Sequence, residues 1–543
     1  MVVRVAEPDF SVKIAVVGGG CGGAYSALRL QQAKRGPVGL FEYSDRIGGR
    51  LYTKTLPGMP HVHAEVGGMR YIPDAHLLVK GVVDNELHLA TRDFPMGSPP
   101  PIGASNNYMY LRQKHLLYGE TSDSDKVPYN VRWSERNMSA DQLQAWAYKY
   151  VVPGASNDTT IDELFKVNFL GKALKDYGLW DLLYLVLSSE AYAYMLDAGG
   201  YDTNVANGTA ILNLPTTGDY AATTKYLTLV DGYEQMPIQA VEKFKREGGK
   251  AYMNHRLESI VRTRKGVRLT FVRTRKIEPK ESVLHSIENT ADRVVVDAEH
   301  VVLALPRRSI ELIDWAPARD NKKLAAAINA VIIQVAFKLF LGYEYPWWKS
   351  LGLQAGRSIT DNPIRQVFYF GTEQDAIGGE PGNTNSLLMA SYNDLRSLPF
   401  WKAFENDPIF MGHDPATGNT PGLNVPRQTR PATTGMVDMA QLLVQEIHGM
   451  RSLPKPYTAA YHDWSIDPFG GGWHAWKAGI DFRDTMKCLR KPLSDWPVHI
   501  CGEAYSVQQG WVEGAYQTAE LMLQEHFDLK KPSWLPKSYD LGP

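Results

Sequence analysis

The sequence predicts an α/β protein of several domains, and three observations predict this class. The β-branched run Lys13–Val17 leads into a glycine-rich turn, Gly18–Gly23, and then into Ala24–Ala33, which has helical composition. Strand, turn and helix in this order are typical of a Rossmann-like nucleotide-binding unit. Helical composition dominates residues 139–206, and strand patterns return beyond Tyr226. We therefore predict a nucleotide-binding domain, a helical insertion and a mixed-sheet domain.

Length and composition limit the classes of function. A chain of 543 residues is long enough for about three or four domains of ordinary size. Its 44% apolar and 22% charged residues are typical of a globular protein. A net charge of -1, from 58 basic and 59 acidic residues, gives no field that would attract nucleic acid or an anionic membrane. Asn329, Gln334 and Lys338 interrupt the longest apolar stretch, so we predict no membrane span.

The number of cysteines and the N-terminal sequence predict the cellular compartment of the protein. Cys21, Cys488 and Cys501 are too few for a disulfide framework and lack the spacing of metal ligands. A short polar segment precedes the first strand and leaves no room for a signal peptide. We expect a cytoplasmic protein without a metal site.

The order of the elements predicts a discontinuous nucleotide-binding domain. A second strand, Val38–Glu42, follows the first helix, and a hairpin is expected over Glu258–Thr274. The apolar strands Val301–Leu305 and Val498–Cys501 are both expected to join the sheet that the N-terminal strands form. The helix Ala515–His526 follows the second of them. The predicted ranges are 1–72, 226–315 and 489–543 for the nucleotide-binding domain, 73–130 and 316–488 for the substrate-binding domain, and 131–225 for the helical domain.

Smaller elements complete this picture. Ser139 and Thr160 each occupy a position that suits a helix N-cap. Strands are expected within Ala327–Tyr343 and Gln366–Tyr392, and a long loop over Gly412–Gly435.

The glycine turn predicts a dinucleotide ligand. Gly18 permits the tight turn, Gly20 lets the backbone approach a pyrophosphate, and Gly23 lets the helix pack closely on the strand. Glu42 ends the next strand, where its carboxylate can accept hydrogen bonds from both ribose hydroxyls.

Further segments narrow the ligand to a flavin. Residues 42–50, which end in Gly48-Gly49-Arg50, resemble an extension found in the flavin amine oxidases, a family with monoamine, polyamine and L-amino-acid oxidases. Residues 500–505 and 510–515 resemble the closing motif of that family. The resemblance covers residues 13 to about 526 and implies FAD as cofactor. The resemblance also implies that FAD is bound non-covalently, because the family members with covalent FAD carry a cysteine in this part of the closing motif, whereas Ala504-Tyr505-Ser506 has none. The implied cofactor-binding residues are Gly18, Gly20, Gly23, Glu42, Ser44, Gly49, Arg50, Gly68, Met69, Arg70, Leu257, Gly502, Glu503, Trp511 and Val512.

A third segment concerns the substrate. Glu65–Tyr71 resembles the family strand that crosses near the flavin ring. Its sequence is most similar to that of the bacterial and gastropod L-amino-acid oxidases. In those enzymes the arginine that matches Arg70 clamps the substrate α-carboxylate, a role that suits a bidentate guanidinium. The resemblance also implies that Tyr392 donates to that carboxylate and that Gly510 and Trp511 border the α-amino group. The segment after Tyr392 departs from the family pattern.

Lys338 is the candidate catalytic residue. It stands alone in the apolar strand Ala336–Leu341, and a lone buried ammonium must be paired, neutral or functional. The resemblance implies that it holds a water beside flavin N5 and takes part in the reaction with oxygen. Some family members use a histidine from the helical domain, but this chain has none between Arg132 and Lys225.

The implied activity is oxidative deamination of L-amino acids. Hydride would pass from the substrate α-carbon to flavin N5, water would hydrolyse the imino acid to a 2-oxo acid and ammonia, and oxygen would be reduced to hydrogen peroxide. Glu190 or Asp197, the latter favoured, would bind a cationic arginine or lysine side chain, whereas Trp464, Trp473 and Trp476 would instead suit apolar or aromatic substrates.

Other functions remain open at this point. They are an amino-acid monooxygenase, an amine or polyamine oxidase, and a flavoprotein without enzymatic activity. The expected partners are a small L-amino acid and oxygen, and a homodimer or higher homo-oligomer is also open.

Overall fold

The computed structural model describes residues 7–97, 106–156, 158–201, 206–215, 224–276, 287–413, 415 and 430–543. The strands are β1 (Phe10–Val17), β2 (Val38–Phe41), β3 (Thr53–Leu56), β4 (Met59–Glu65), β5 (Thr91–Asp93), β6 (Tyr108–Leu111), β7 (Lys114–Leu117), β8 (Asn168–Phe169), β9 (Lys172–Ala173), β10 (Leu227–Leu229), β11 (Lys250–Tyr252), β12 (His255–Arg262), β13 (Val267–Lys276), β14 (Ile287–Ala304), β15 (Val331–Gln334), β16 (Ala336–Tyr343), β17 (Gly356–Thr360), β18 (Gln366–Thr372), β19 (Ser386–Asp394), β20 (Arg430–Pro431), β21 (Thr458–Asp463), β22 (Trp473–Trp476) and β23 (Val498–Cys501).

The helices are α1 (Cys21–Gln32), α2 (Leu77–Gly81), α3 (Ala140–Val151), α4 (Ile161–Leu164), α5 (Leu179–Val186), α6 (Ser189–Ala198), α7 (Ala210–Asn213), α8 (Gln235–Arg246), α9 (Arg307–Glu311), α10 (Ala316–Asp320), α11 (Lys322–Ile328), α12 (Leu398–Lys402), α13 (Thr434–His448), α14 (Phe482–Arg490) and α15 (Val512–Phe527).

The first sheet has seven strands from distant parts of the chain. Their order is β11-β2-β1-β14-β13-β12, and β23 pairs with β14. The strands β11, β2, β1, β14 and β23 run parallel. All residues of β2 and β23 are buried, as are the last four of β1, which is the continuous apolar pattern of strands covered on both faces. The carboxyl ends of these parallel strands meet at one edge of the sheet.

The second sheet has eight strands, in the order β20-β21-β16-β19-β18-β17-β6-β7. Its central strand β16 is buried along its whole length and pairs antiparallel with β19 and β21. The sheet therefore fixes the side chains of β16 and β19 within the protein core.

Helices dominate the segment between residues 140 and 213. Ser139 and Thr160 cap α3 and α4, each with a reciprocal capping box, as predicted. The buried faces of α3, α5 and α6 share one apolar cluster with residues of the first sheet.

These elements confirm the predicted α/β class. The predicted domain ranges stay a prediction, although strands of the first sheet do come from all three ranges assigned to the nucleotide-binding domain. The strands predicted within Ala327–Tyr343 are confirmed as β15 and β16, except that Ala327 and Ile328 belong to the helix α11. Most of the predicted loop Gly412–Gly435 lies outside the described residues. No helix in the described part of the chain is both long and apolar enough to cross a membrane.

Candidate active site

A cavity lies where the two sheets meet. Gly18, Glu42, Leu305 and Gly502 line it, and each directly follows a parallel strand of the first sheet. Ligands of open α/β sheets bind at this edge, outside the carboxyl ends of the strands. The predicted site residues that line the cavity are Gly18, Gly20, Glu42, Gly49, Arg50, Gly68, Lys338, Tyr392, Trp464, Gly502, Glu503, Gly510, Trp511 and Val512.

The glycine turn has the geometry that a pyrophosphate needs. Gly18 has φ +107°, and a Cβ at Gly23 would lie 1.9 Å from the carbonyl oxygen of Gly18, so neither position accepts a larger residue without a shift. A Cβ at Gly20 would lie 3.6 Å or more from other atoms and would project into the gap beside Gly49. Helix α1 begins at Cys21 without a side-chain cap, so its first N–H groups are open to an anion.

Glu42 is buried at the other end of the glycine turn. Its carboxylate accepts hydrogen bonds from the N–H of Gly19 (2.7 Å), the N–H of Ser44 (3.0 Å) and the hydroxyl of Ser44 (2.7 Å). Burial raises the pKa of Glu42, and these hydrogen bonds oppose the change. Ser44 lies behind Glu42 and orients it.

Glu503 joins three segments at the cavity wall. One carboxylate oxygen accepts from Nη1 of Arg50 (2.7 Å) and from Nδ1 of His474 (2.9 Å), and the other accepts from the N–H of His474 (2.9 Å) and of Gly510 (2.8 Å). Burial alone would raise the pKa of Glu503, but the charge of Arg50 and these hydrogen bonds lower it to about 2. The ionised carboxylate only accepts, so Nδ1 of His474 carries the hydrogen.

Lys338 projects from β16 into the cavity wall and is 2% exposed. Its Nζ donates to the carbonyl oxygens of Glu65 (2.9 Å) and Gly67 (2.6 Å). Burial lowers the pKa of Lys338 to about 7, although the charge of Glu65 opposes this shift. The buried amino group is thus paired with carbonyl oxygens, as the sequence predicted, and its pKa lies within the neutral pH range.

Arg70 lies behind this wall, enclosed by aromatic rings. Its Cζ lies 5.0 Å from the ring centroid of Tyr226, 5.4 Å from that of Phe94 and 5.9 Å from that of Phe368. The side chain is buried, and its Nε has no hydrogen-bond partner. In the described part of the chain, no carboxylate lies within salt-bridge distance of Arg70.

Aromatic side chains complete the wall around Lys338. The ring centroid of Tyr392 lies 4.6 Å from Nζ of Lys338 and 5.1 Å from the ring centroid of Tyr201, which follows helix α6. Trp464 donates through Nε1 to the carbonyl oxygen of Val66, so its indole is fixed at the cavity.

Several predicted residues lie away from the cavity. Asp197 accepts a hydrogen bond from the hydroxyl of Tyr129 (2.9 Å), and Glu190 forms a salt bridge with Arg112 (3.0 Å). Both carboxylates therefore have partners within the helical segment and its surroundings. Leu257, in β12, packs in the apolar core.

Of two further predicted side chains, that of Met69 is buried next to the cavity and that of Trp476 is buried away from it. The sulfur of Met69 lies 3.7 Å from Nζ of Lys338. The prediction that Trp476 lines a substrate pocket is wrong, because its indole packs against Phe482 and donates to the carbonyl oxygen of Ser506.

Sequence reasoning missed three residues of the site. Phe469 lies in the loop after Trp464 and lines the cavity, and His474 in strand β22 reaches the site through its hydrogen bonds to Glu503. No recognisable motif marks either residue in the sequence. Glu65 was part of a recognised segment, but the sequence gives no sign that it lies near Lys338.

The cavity fits a flavin dinucleotide in its chemistry. The glycine backbone and the N-terminus of α1 would receive the pyrophosphate, and Glu42 would receive the ribose hydroxyls. Lys338 and Tyr392 lie on the wall of the same cavity, where a flavin ring would meet them. No group of His, Cys, Asp or Glu among the described residues has the geometry of a metal site.

Comparisons with known proteins agree with this chemistry. Residues 23–399 match the family described as flavin containing amine oxidoreductase. The chain is 29% identical over 535 residues to Aplysianin-A of Aplysia kurodai, covering 96% of this chain and 91% of that protein. It is 23% identical over 577 residues to L-amino-acid oxidase 4 of Hebeloma cylindrosporum, covering 99% and 85%.

The fold also matches a solved structure. A putrescine oxidase variant superposes with a TM-score of 0.66 at 16% identity, over 96% of this chain and 99% of that one. Because the family match covers well over half of the sequence, this chain belongs to the flavin containing amine oxidoreductases and is a flavoenzyme with FAD as its cofactor.

Proposed function

We propose that the chain is an L-amino-acid oxidase, which converts an L-amino acid and oxygen to a 2-oxo acid, ammonia and hydrogen peroxide. Relatives that carry this name, such as that of Hebeloma cylindrosporum, support the proposal. The single observation that carries it is the state of Arg70.

Arg70 is a buried cation, and no carboxylate among the described residues pairs with it. A buried guanidinium without a carboxylate is costly, and the aromatic rings around it supply only part of the missing stabilisation. The α-carboxylate of an amino acid would complete its hydrogen bonds with bidentate geometry. A simple amine has no group that could do so, which favours amino acids over amines as substrates.

The neighbouring side chains suit the rest of the reaction. When bound, FAD accepts a hydride from the substrate α-carbon and passes the electrons to oxygen. Arg70 would fix the carboxylate and, with Tyr392, the face of the α-carbon that is presented. Lys338 would hold a water molecule at the ring, and the indoles of Trp464 and Trp511 would exclude other water.

The side-chain preference that we propose is apolar or aromatic. Glu42 and Glu503 are the carboxylates among the described lining residues, and both serve the cofactor end of the cavity. The predicted preference for arginine or lysine depended on Asp197, which is bonded to Tyr129 instead. Trp464 and Trp473 line the cavity and offer an aromatic surface.

Anaerobic mixing tests this function. L-phenylalanine should bleach the yellow FAD-bound protein, while D-phenylalanine and 2-phenylethylamine at the same concentration should leave it oxidised. Admission of air should then yield hydrogen peroxide and a 2-oxo acid in equal amounts. Bleaching by the amine would identify an amine oxidase, and an amide product would identify a monooxygenase.

A scan over the twenty amino acids then tests the side-chain preference. Higher kcat/KM for aromatic and large apolar substrates than for arginine and lysine is expected. The opposite order would contradict the aromatic pocket.

A further inference from the structure

A second pocket lies on the helical segment, separate from the FAD cavity. It is formed by helices α5 and α6 and the residues just before α7, and it shares no lining residue with the FAD cavity. The residues that line it are Trp180, Asp181, Tyr184, Leu185, Tyr192 and Asn207. Three of the six are aromatic and one is acidic, a combination that attracts an organic cation.

The three aromatic rings meet at right angles. The ring centroid of Tyr192 lies 5.1 Å from that of Trp180, with 84° between the ring planes, and 5.8 Å from that of Tyr184, with 90°. Trp180 and Tyr184 are four residues apart in α5, so they lie on one face of that helix, and Tyr192 comes from α6. Ring planes of different orientation therefore bound the pocket, as in sites that hold an ammonium group by cation–π contacts.

Backbone contacts and packing fix two of the rings. Oδ1 of Asn207 accepts from the N–H of Trp180 (3.0 Å) and of Asp181 (3.2 Å), which fixes the first turn of α5. Trp180 is buried in the apolar cluster of the helical segment, and Tyr192 packs against the same cluster. Tyr184, in contrast, is 70% exposed. A ligand would thus meet two fixed rings and a third ring at the surface.

The charge at the pocket is negative. Asp181 is exposed, and no lysine or arginine of the described residues lines the pocket with it. Burial raises the pKa of Tyr192, and the charge of Asp181 raises it further, so the carboxylate lies close to the rings. A positive ligand would therefore be attracted by the rings and by the carboxylate together.

Hydration decides which cation fits. A primary ammonium is compact and strongly hydrated, so it needs several acceptors to replace its water. The side-chain oxygen of Asn207 is already bonded to the helix, and Asp181 is itself exposed to water. A quaternary ammonium has no hydrogen to donate, and its methyl groups can lie directly against aromatic rings.

We propose that this pocket binds a trimethylammonium group, which lies against the rings of Tyr184 and Tyr192 with Asp181 as the counter-charge. Free choline and the headgroup of phosphatidylcholine both present this group. The site is separate from the FAD cavity, so the proposal does not depend on which substrate the enzyme oxidises.

Calorimetric titration of the FAD-bound protein with choline tests the site. Weak binding is expected, with a Kd on the order of 1 mM. The neutral isostere 3,3-dimethyl-1-butanol and the primary amine ethanolamine should each bind about tenfold more weakly or less. Equal affinity for the isostere would reduce the site to an apolar surface, and equal affinity for ethanolamine would exclude selection of a quaternary ammonium. Either result overturns the proposal.

Variants of the exposed ring separate cation–π contact from apolar contact. Tyr184→Leu keeps an apolar side chain and should weaken choline binding about fivefold or more, whereas Tyr184→Phe keeps the ring and should bind as the wild type does. Asp181→Asn should weaken binding by a smaller factor that shrinks at high salt. Tyr150→Leu is the matched control, since Tyr150 is an exposed tyrosine of α3 outside the pocket. Wild-type affinity in Tyr184→Leu would overturn the proposal.

The visible absorption of bound FAD checks the place of binding. Choline in this pocket should leave the flavin spectrum unchanged, because none of the pocket residues lines the FAD cavity. A choline-dependent spectral change that persists in Tyr184→Leu would place the ligand in the FAD cavity instead and contradict the proposal.

Co-sedimentation with vesicles distinguishes the two sources of the group. Binding to phosphatidylcholine vesicles that is lost in Tyr184→Leu would assign the lipid headgroup, with phosphatidylglycerol vesicles as the control. Binding of choline without binding to vesicles would assign a free small molecule. Absence of both from the wild type would refute the site.

Discussion

Arg50 and Glu503 are 453 residues apart in the chain, and their side chains meet 2.7 Å apart at the wall of the FAD cavity. Glu503 also accepts hydrogen bonds from the backbone of His474 and Gly510. One carboxylate thus ties together the loop after β2, the strand β22 and the turn before α15. The hydrogen bond to Glu503 fixes the guanidinium of Arg50 through Nη1, so the remaining N–H groups of Arg50 can face a pyrophosphate.

Glu503→Gln should weaken FAD binding about 10- to 100-fold, which corresponds to the loss of a charged hydrogen bond worth about 1.5 to 3 kcal/mol. The measurement is titration of the apoprotein with FAD, followed by the quenching of flavin fluorescence. Glu525→Gln is a matched control, since Glu525 pairs with Arg490 between α14 and α15, away from the cavity. Equal losses in both variants would indicate general destabilisation.

Arg70→Met should lower kcat/KM for L-amino acids about 100-fold or more, because about 3 kcal/mol of charge-assisted hydrogen bonding to the carboxylate is lost. Binding of benzoate, seen as a change in flavin absorption, should weaken by a similar factor. The content of FAD and the Tm should stay near the wild-type values. Unchanged benzoate binding would contradict a carboxylate clamp at this residue.

Gly23→Ala should reduce the stability of the protein, whereas Gly20→Ala should reduce its affinity for FAD. The Cβ at Gly23 would meet the carbonyl oxygen of Gly18 at 1.9 Å, so this variant should unfold more easily, by about 1 to 3 kcal/mol. The Cβ at Gly20 meets no atom within 3.5 Å in the protein, so the apoprotein should keep its Tm while its affinity for FAD falls. Thermal unfolding of the apoproteins together with FAD titration measures both. Normal FAD affinity in Gly20→Ala would exclude a pyrophosphate beside this residue.

His499 should make the protein less stable in acid. Burial, with the nearby His526 and His300, lowers the pKa of His499 from 6.5 to about 3. Below pH 6.5 the unfolded chain therefore binds a proton that the folded protein rejects, and stability falls as the pH decreases towards 3. The loss attributable to this group should be about 1 kcal/mol per pH unit within that window.

His499→Gln should flatten this slope relative to the wild type. Chemical denaturation at a series of pH values gives the free energy of unfolding of both proteins. His88→Gln provides the control, since His88 is a solvent-exposed histidine. A difference between His499→Gln and wild type that does not change with pH would refute the assignment.

The features that the sequence predicts well are local ones. Gly18, Gly20 and Gly23 act within one turn, and Glu42 follows the next strand, so spacing alone indicates their roles. Lys338 stands out because an isolated lysine in an apolar strand needs an explanation from its surroundings.

The features that could not be predicted are contacts between distant segments. Asp197 lies near a helix end, from which its carboxylate could have reached a substrate. Instead, the carboxylate accepts a hydrogen bond from the hydroxyl of Tyr129, 68 residues away in the chain. One carbonyl oxygen that accepts from Nζ of Lys338 belongs to Glu65, 273 residues earlier in the chain. Nothing in the local pattern of either residue identifies such a partner, because the partner is set by how the sheets pack.

The pairing of β23 with β14 has a consequence for the synthesis of the protein. Strand β14 ends at Ala304, but its neighbour Val498–Cys501 leaves the ribosome almost two hundred residues later. Until then, β14 exposes an unpaired edge that can bind other nascent chains. Gly502 and the turn before α15 follow β23, so the cofactor cannot be enclosed before the chain has been made as far as the start of α15.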